Sequence, residues 1–157
     1  MAFAELLQKF TQAVEAGDGT ALGNCFTEQG IYHDTFYGEF KGRDAIKHML
    51  EDKFYGDAKE FIWKMIDPVS DGKHGYARWE YFGYTSTMER SPNKRVIIDG
   101  MSFFRLNNGL IDYYGEVFNS GLLFNQMGMP GSAMDKVFSK WTSKLTQRPE
   151  MSRMLNR

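Results

Sequence analysis

Between residues 60 and 118 the apolar side chains recur at every second position, in four runs parted by short polar turns. EFIWKMID is followed by Pro68 and SDGK, HGYARWEYFGYTSTME by SPNK, and RVIIDGMSFFRL by NNG; LIDYYGEVF closes the series. Alternation of this kind marks strands with one buried face, and such turns join neighbours antiparallel. The runs therefore predict a meander of long strands. A sheet of this type must bury one face against something.

The cover precedes it. Residues 3 to 16 place Phe3, Leu6, Leu7, Phe10 and Val14 at helical spacing. Gly17 stops that helix, and Asp18 is placed to cap a second one running through Leu22, Cys25 and Phe26. Gly30 opens a short strand over 31–34, a second strand covers 36–40, and Arg43 begins a helix with Ile46, Met49, Leu50 and Phe54 on one face. After the meander, GLLFNQMGMPGS reads as a short helix broken near Pro130. SAMDKVFSKWTSKL then reads as an amphipathic helix with Met134, Val137, Phe138, Trp141 and Leu145 on one side. Helices first and strands afterwards argue for an α+β fold rather than alternating β-α units. No repeat or linker divides the chain, so one domain is expected: a body over 1–131, with a C-terminal helix and tail over 132–157 belonging to it.

Composition narrows the function. The formal net charge is -1, which removes the basic footprint of a nucleic-acid binder. The tail TSKLTQRPEMSRMLNR is basic and reads as a solvated end. A single cysteine, Cys25, excludes an intrachain disulfide framework, and its apolar surroundings suggest a buried thiol. MAFAELLQKF lacks the basic start and apolar run of a signal peptide, and no stretch reaches membrane-spanning length, so a cytoplasmic protein is expected. His33, His48 and His74 are scattered, with no HExxH or other ligand spacing, so no metal is expected. GDGTALG lacks the Lys-Ser/Thr ending of a phosphate loop. The aromatic fraction of 15%, with 10 Met, serves either a well-filled core or a cavity for a flat apolar ligand.

Five short segments, in order, resemble the nuclear transport factor 2-like superfamily: AVEAGD, CFTEQGIYHD, FKGRDAI, FFRLNNGLI and YGEVFNSGLLFNQMGMP. The group includes ketosteroid isomerase, limonene epoxide hydrolase, scytalone dehydratase and the SnoaL-like polyketide cyclases. The likeness covers roughly residues 5 to 130, and the ending, with Gln126, Met127, Gly128 and Pro130, looks more like the SnoaL-like branch than the isomerase branch. It implies a cystatin-like cone, in which a curved, mostly antiparallel sheet wraps on the N-terminal helices around an apolar cavity. It also implies frequent homodimers joined by sheet faces and no metal or organic cofactor.

Carried over residue by residue, the resemblance puts a general base at Asp34, at the end of the first strand, with His33 beside it. The position of the isomerase's Tyr donor is Phe10 here, and that of its protonated Asp is Ser102, with Asp99 on the opposite face. The base position is kept and both donors are changed, which speaks against steroid isomerisation. From the residues alone, His33 and Asp34 either end a solvated strand or face a pocket, and strand alternation sends them to opposite faces unless the strand bulges. Glu116, with Tyr114 and Phe118 on the same face, is either a second acid–base group or the partner of a buried Arg, for which Arg78 and Arg105 are available. Trp79 and Tyr81 are expected to face the cavity rather than Phe82 and Tyr84, and Tyr37 and Tyr55 to sit at its rim.

The expected catalytic set is thus Asp34, His33 and Glu116. The expected ligand contacts are Phe10, Tyr37, Tyr55, Trp79, Tyr81, Ser102, Tyr114 and Phe118. The reading is a cofactor-independent lyase or isomerase moving a proton on a small apolar, aromatic or polycyclic molecule. Two other catalytic readings stay open: a lyase releasing formaldehyde from a lignin-type diaryl compound, and a dehydratase or hydrolase. A non-catalytic ligand-binding or dimerisation module is the alternative from another class.

Overall fold

The computed structural model describes residues 2–155; Met1, and Asn156 and Arg157 at the end of the basic tail, lie outside the described residues. Phe3–Ala16 form helix α1, which ends where Gly17, at φ 67°, turns its N–H back to the carbonyls of Ala13 and Val14. The Asp18 carboxylate accepts the N–H of Ala21 at 2.8 Å and so caps α2 (Gly19–Asn24). β1 (Phe26–Asp34) begins before the expected 31–34, because Phe26 already pairs with the last strand and the residues up to Ile31 bulge out of the ladder. β2 (Gly38–Lys41) is shorter than expected, since 35–37 form the turn after Asp34. Helix α3 (Arg43–His48) runs on through a π-helical Met49–Phe54 into a last turn, α4 (Tyr55–Asp57).

The meander follows as β3 (Ala58–Ser70), β4 (His74–Ser86), β5 (Arg95–Asn107) and β6 (Leu110–Phe118). The six-stranded sheet has the order β2-β1-β6-β5-β4-β3, with β1 and β6 parallel and every other pair antiparallel. β3 does not stop at Pro68. It is an edge strand, and Asp67, at φ 52°, forms a bulge there, so the missing proline N–H breaks no ladder bond and pairing resumes at Val69. After the sheet come α5 (Ser120–Gln126), α6 (Gly131–Thr146) and a short α7 (Ser152–Leu155). This is the expected α+β architecture, a curved sheet over N-terminal helices with an added C-terminal helix.

Helix α1 lies in the concavity of the sheet and buries Leu6, Leu7, Phe10 and Val14. Phe10 is fully enclosed, 5.1 Å from the ring of Tyr114, 5.4 Å from Trp63 and 6.0 Å from Tyr32. Burying a side chain of this kind contributes about 1.5–3 kcal/mol, so the aromatic cluster anchors the helix at mid-sheet. Cys25 is buried, its thiol pushed up to about 11 by burial, as suits a packing residue. No helix among the described residues is long and apolar enough to cross a membrane.

Candidate active site

Beyond the Phe10 cluster the concave side is not filled. It holds a cavity of about 210 Å³ walled by Tyr32, Trp63, Trp79, Phe82, Tyr84 and Phe118, with the carboxyl groups of Asp34 and Glu116 among its lining. Half-exposed Phe36 and Tyr37, with Arg90 from the β4–β5 loop, mark its open side. An apolar cavity of about 150 Å³ already takes up benzene, so this one accommodates a substituted ring.

Asp34 is 5% exposed. It ends β1, and its Oδ1 accepts the backbone N–H groups of Phe36 and Tyr37, both at 2.7 Å. These bonds close the turn and favour the ionised form. Burial works against them and wins, so the carboxyl is raised above the ordinary carboxylate range. Glu116 comes from β6, next to the turn: its Oε1 lies 3.4 Å from the N–H of Thr35, and its Oε2 accepts the Tyr114 hydroxyl at 2.7 Å. Burial, and after it the negative charge of Asp34, push Glu116 up to about 8. Among the described residues no arginine or lysine forms an ion pair with it. Arg78 sits on the outer face against Asp67, and Arg105 lies over the Tyr113 ring. The buried-Arg reading of Glu116 is therefore not what the fold builds.

The cavity gathers some of the sequence-derived residues and leaves others out. Asp34, Glu116, Tyr37, Trp79 and Phe118 line it. His33 does not. Alternation along β1 turns it to the outer face, where its Nδ1 lies 2.7 Å from the Tyr113 hydroxyl and 3.8 Å from Glu39. Phe10 is packed beneath the wall. Tyr55 turns its hydroxyl to the carbonyls of Val14 and Glu15, tying α4 to the end of α1. Ser102 and Tyr114 lie behind the wall rather than in it.

Tyr81 is turned away by a bulge. Trp79 pairs with Gly100 and Phe82 with Ile98, so Glu80 and Tyr81 together face Asp99. The extra residue reverses the parity of the strand. Trp79, Phe82 and Tyr84 all point inward, while Tyr81 pairs with Lys64 on the outer face and Lys64 meets Glu80 there. Phe82 and Tyr84 were legible as an aromatic i, i+2 pair, but not their face. Gly100, paired with Trp79 beside the bulge, has a packing reason: a Cβ there would lie 2.8 Å from the Trp79 ring and 2.9 Å from Phe118. Further lining comes from Phe124 and Met127 of the α5 region; the Tyr84 hydroxyl contacts the Met127 sulfur at 3.6 Å. Trp141 of α6 backs this side, 5.7 Å from Phe36 and 6.1 Å from Phe124.

The α+β fold has known counterparts. A family profile described as the SnoaL-like domain matches residues 7–114, more than half of the chain. The chain belongs to the SnoaL-like family. No curated protein sequence matches it. Solved structures do. A ketosteroid isomerase-like fold protein from Catenulispora acidiphila, in complex with trimethylamine, superposes with TM-score 0.70 at 17% identity over 80% of this chain and 94% of its own. A candidate polyketide cyclase from Xanthomonas campestris pv. campestris gives 0.66 at 19% identity over 80% and 96%. An epoxide hydrolase of the LEH-like type from M. tuberculosis gives 0.64 at 14% identity over 80% and 84%. Identities this low establish the shared fold of this SnoaL-like chain and leave its reaction to the site itself.

Proposed function

We propose that this SnoaL-like protein is a proton-transfer enzyme for a small aromatic molecule, with Asp34 as the base and Glu116 as the acid. The observation that carries the reading is the convergence of two carboxyls, neither of them ion-paired to an arginine or lysine among the described residues, on one aromatic cavity. Two such groups do not both ionise readily, and their environments separate them. Asp34 has two short backbone donors that hold its anion, whereas Glu116, at about 8, keeps its proton at neutral pH. One site thus offers an acceptor and a donor at the same pH. Removing a proton at one ligand atom and returning it at another is isomerisation; returning it to a departing oxygen or carbon is elimination or bond cleavage. The two carboxyls suffice for either, so the reading is a lyase or isomerase that draws on no cofactor.

A hydrolase is the second reading, favoured by the same pairing. A base that activates water and an acid that protonates the leaving oxygen would open an epoxide. Release of formaldehyde from a diaryl compound also suits a base–acid pair, with one ring in the cavity and the other extending past Phe36 and Tyr37. A purely binding module has no use for two carboxyls held in an apolar wall at the expense of their hydration. We also infer that the outer sheet face pairs with a second copy of the chain.

The test is turnover of a panel of aromatic substrates, chosen by quenching of Trp fluorescence. General acid–base groups contribute about 10²–10⁴-fold each. Asp34→Asn and Glu116→Gln should each lower kcat by at least the smaller figure while ligand quenching persists. The wild-type rate should rise as Asp34 ionises and fall as Glu116 loses its proton near pH 8. Wild-type rates in both variants would remove the assignment.

A further inference from the structure

We infer that Trp79, Ser102 and Tyr114 form a one-way hydrogen-bond chain that positions Glu116 and occupies its Oε2, leaving Oε1 as the atom that exchanges the proton. The inference rests on the reading of Glu116 as the cavity acid and adds which residues prepare it. The links are Trp79 Nε1 to Ser102 Oγ at 2.7 Å, Ser102 Oγ to Tyr114 Oη at 3.1 Å, and Tyr114 Oη to Glu116 Oε2 at 2.7 Å.

The direction is forced at its far end. An indole N–H can only donate, so Ser102 Oγ must accept from Trp79. The single hydroxyl proton of Ser102 is then free to go to Tyr114, and the tyrosine proton to Glu116. All three residues of the chain are buried, and no water is needed to orient them. Every proton in the row points toward the carboxyl, so Oε2 accepts and is not the seat of the acid proton. Oε1 accepts only the longer contact, from the Thr35 N–H at 3.4 Å against 2.7 Å at Oε2, and lies next to the turn that Asp34 closes. A proton on Oε1 therefore stands on the side where the base lies. The sequence feature behind this arrangement is a serine at 102, placed on the inward face of β5 opposite Ala77 and Glu116.

The groups around Glu116 are few. Tyr32 and Asp34 face it from β1, Thr35 from the turn after β1 and Tyr114 from β6, while Tyr37, Asp57, Tyr84 and Arg90 also line the cavity. Burial and the charge of Asp34 favour the protonated acid; the Tyr114 bond and, after it, those from Thr35 favour the anion. Cutting the chain should therefore raise the titration midpoint of Glu116.

The experiment is a carboxyl-carbon NMR titration of Glu116 in the wild type, Tyr114→Phe and Ser102→Ala, with the indole N–H signals followed alongside. Tyr114→Phe should move the Glu116 midpoint up by about one pH unit, a tenfold gain in proton affinity. Ser102→Ala should move it less, in the same direction, and should shift the indole signal of Trp79 as its acceptor disappears. Tyr114 and Ser102 then act as positioning residues, since mere packing would leave the midpoint in place. Two folded variants that both titrate Glu116 at the wild-type midpoint would overturn the chain. Should Tyr114→Phe not fold, Ser102→Ala decides by the same readout. A wild-type midpoint in the ordinary carboxylate range, still moved by the variants, would remove the cavity acid and keep the chain.

Discussion

At residue 116 the fold inverts the usual relation between a carboxyl and pH. A glutamate in the unfolded chain titrates at about 4.3, and in the cavity Glu116 titrates at about 8. A raised value means the folded state holds the proton more tightly, so its contribution to stability is fully present below the unfolded value and lost as pH climbs through the folded one. The loss is at most about 1.4 kcal/mol per pH unit in that window. Glu116→Gln removes the titration. Thermal melts of both proteins should show the wild type falling behind the variant from about pH 4.3 up to about 8, with a constant difference above it; a difference that never changes with pH would refute the raised value. Asp34 was legible in the sequence through its matched family position, and Glu116 through the face it shares with Tyr114 and Phe118. His33 was legible as a candidate only by adjacency, and the same parity that turns Asp34 inward turns it outward. Phe36 sits in the turn that Asp34 closes, a face no periodicity describes.

The elements show where pattern reading stops. The helix positions and the four meander strands follow from hydrophobic spacing, whereas bulges leave no mark in spacing. Asp67 continues a strand past a proline, and the extra residue at Glu80–Tyr81 exchanges the face of everything after it. The bulge is what brings Phe82 and Tyr84 into the cavity. Deleting Glu80 would restore strict alternation and turn both rings to solvent, at a loss on the order of 2–4 kcal/mol for two partly buried aromatics. At roughly 2–4 °C per kcal/mol for a domain of this size, Tm should fall by about 5–15 °C and quenching by aromatic ligands should vanish. Tyr81→Ser, on the outer face, should shift Tm by only a few degrees and leave ligand quenching unchanged. A deletion variant that melts and binds like the parent would show that the parity of β4 does not depend on this residue.

At the scale of the molecule, the sheet has two faces with different duties. The inner face is committed to α1 and the cavity. The outer face carries the ion pairs Lys64–Glu80 and Arg78–Asp67 and, on either side of them, apolar rungs: Ile62–Gly83–Ile97, Met101–Val117, and Val69–Tyr76–Phe103. Ile97 is 58% exposed and Val117 61%, on neighbouring strands of one continuous surface. Isolated apolar residues on a surface are ordinary, but a row on successive strands is the kind of patch that associates. We propose a second copy as its occupant, since the patch can face itself about a two-fold axis, each residue meeting a counterpart on the other subunit. Light scattering should then report twice the 18.1 kDa of the chain at micromolar concentration. Ile97→Asp combined with Val117→Lys should return the mass to a single chain. Because both residues point away from the cavity, the carboxyl titrations should survive in that monomer. A wild type that scatters as a single chain would show that the apolar rungs remain open to water, and that the sheet is stable with only its concave side covered.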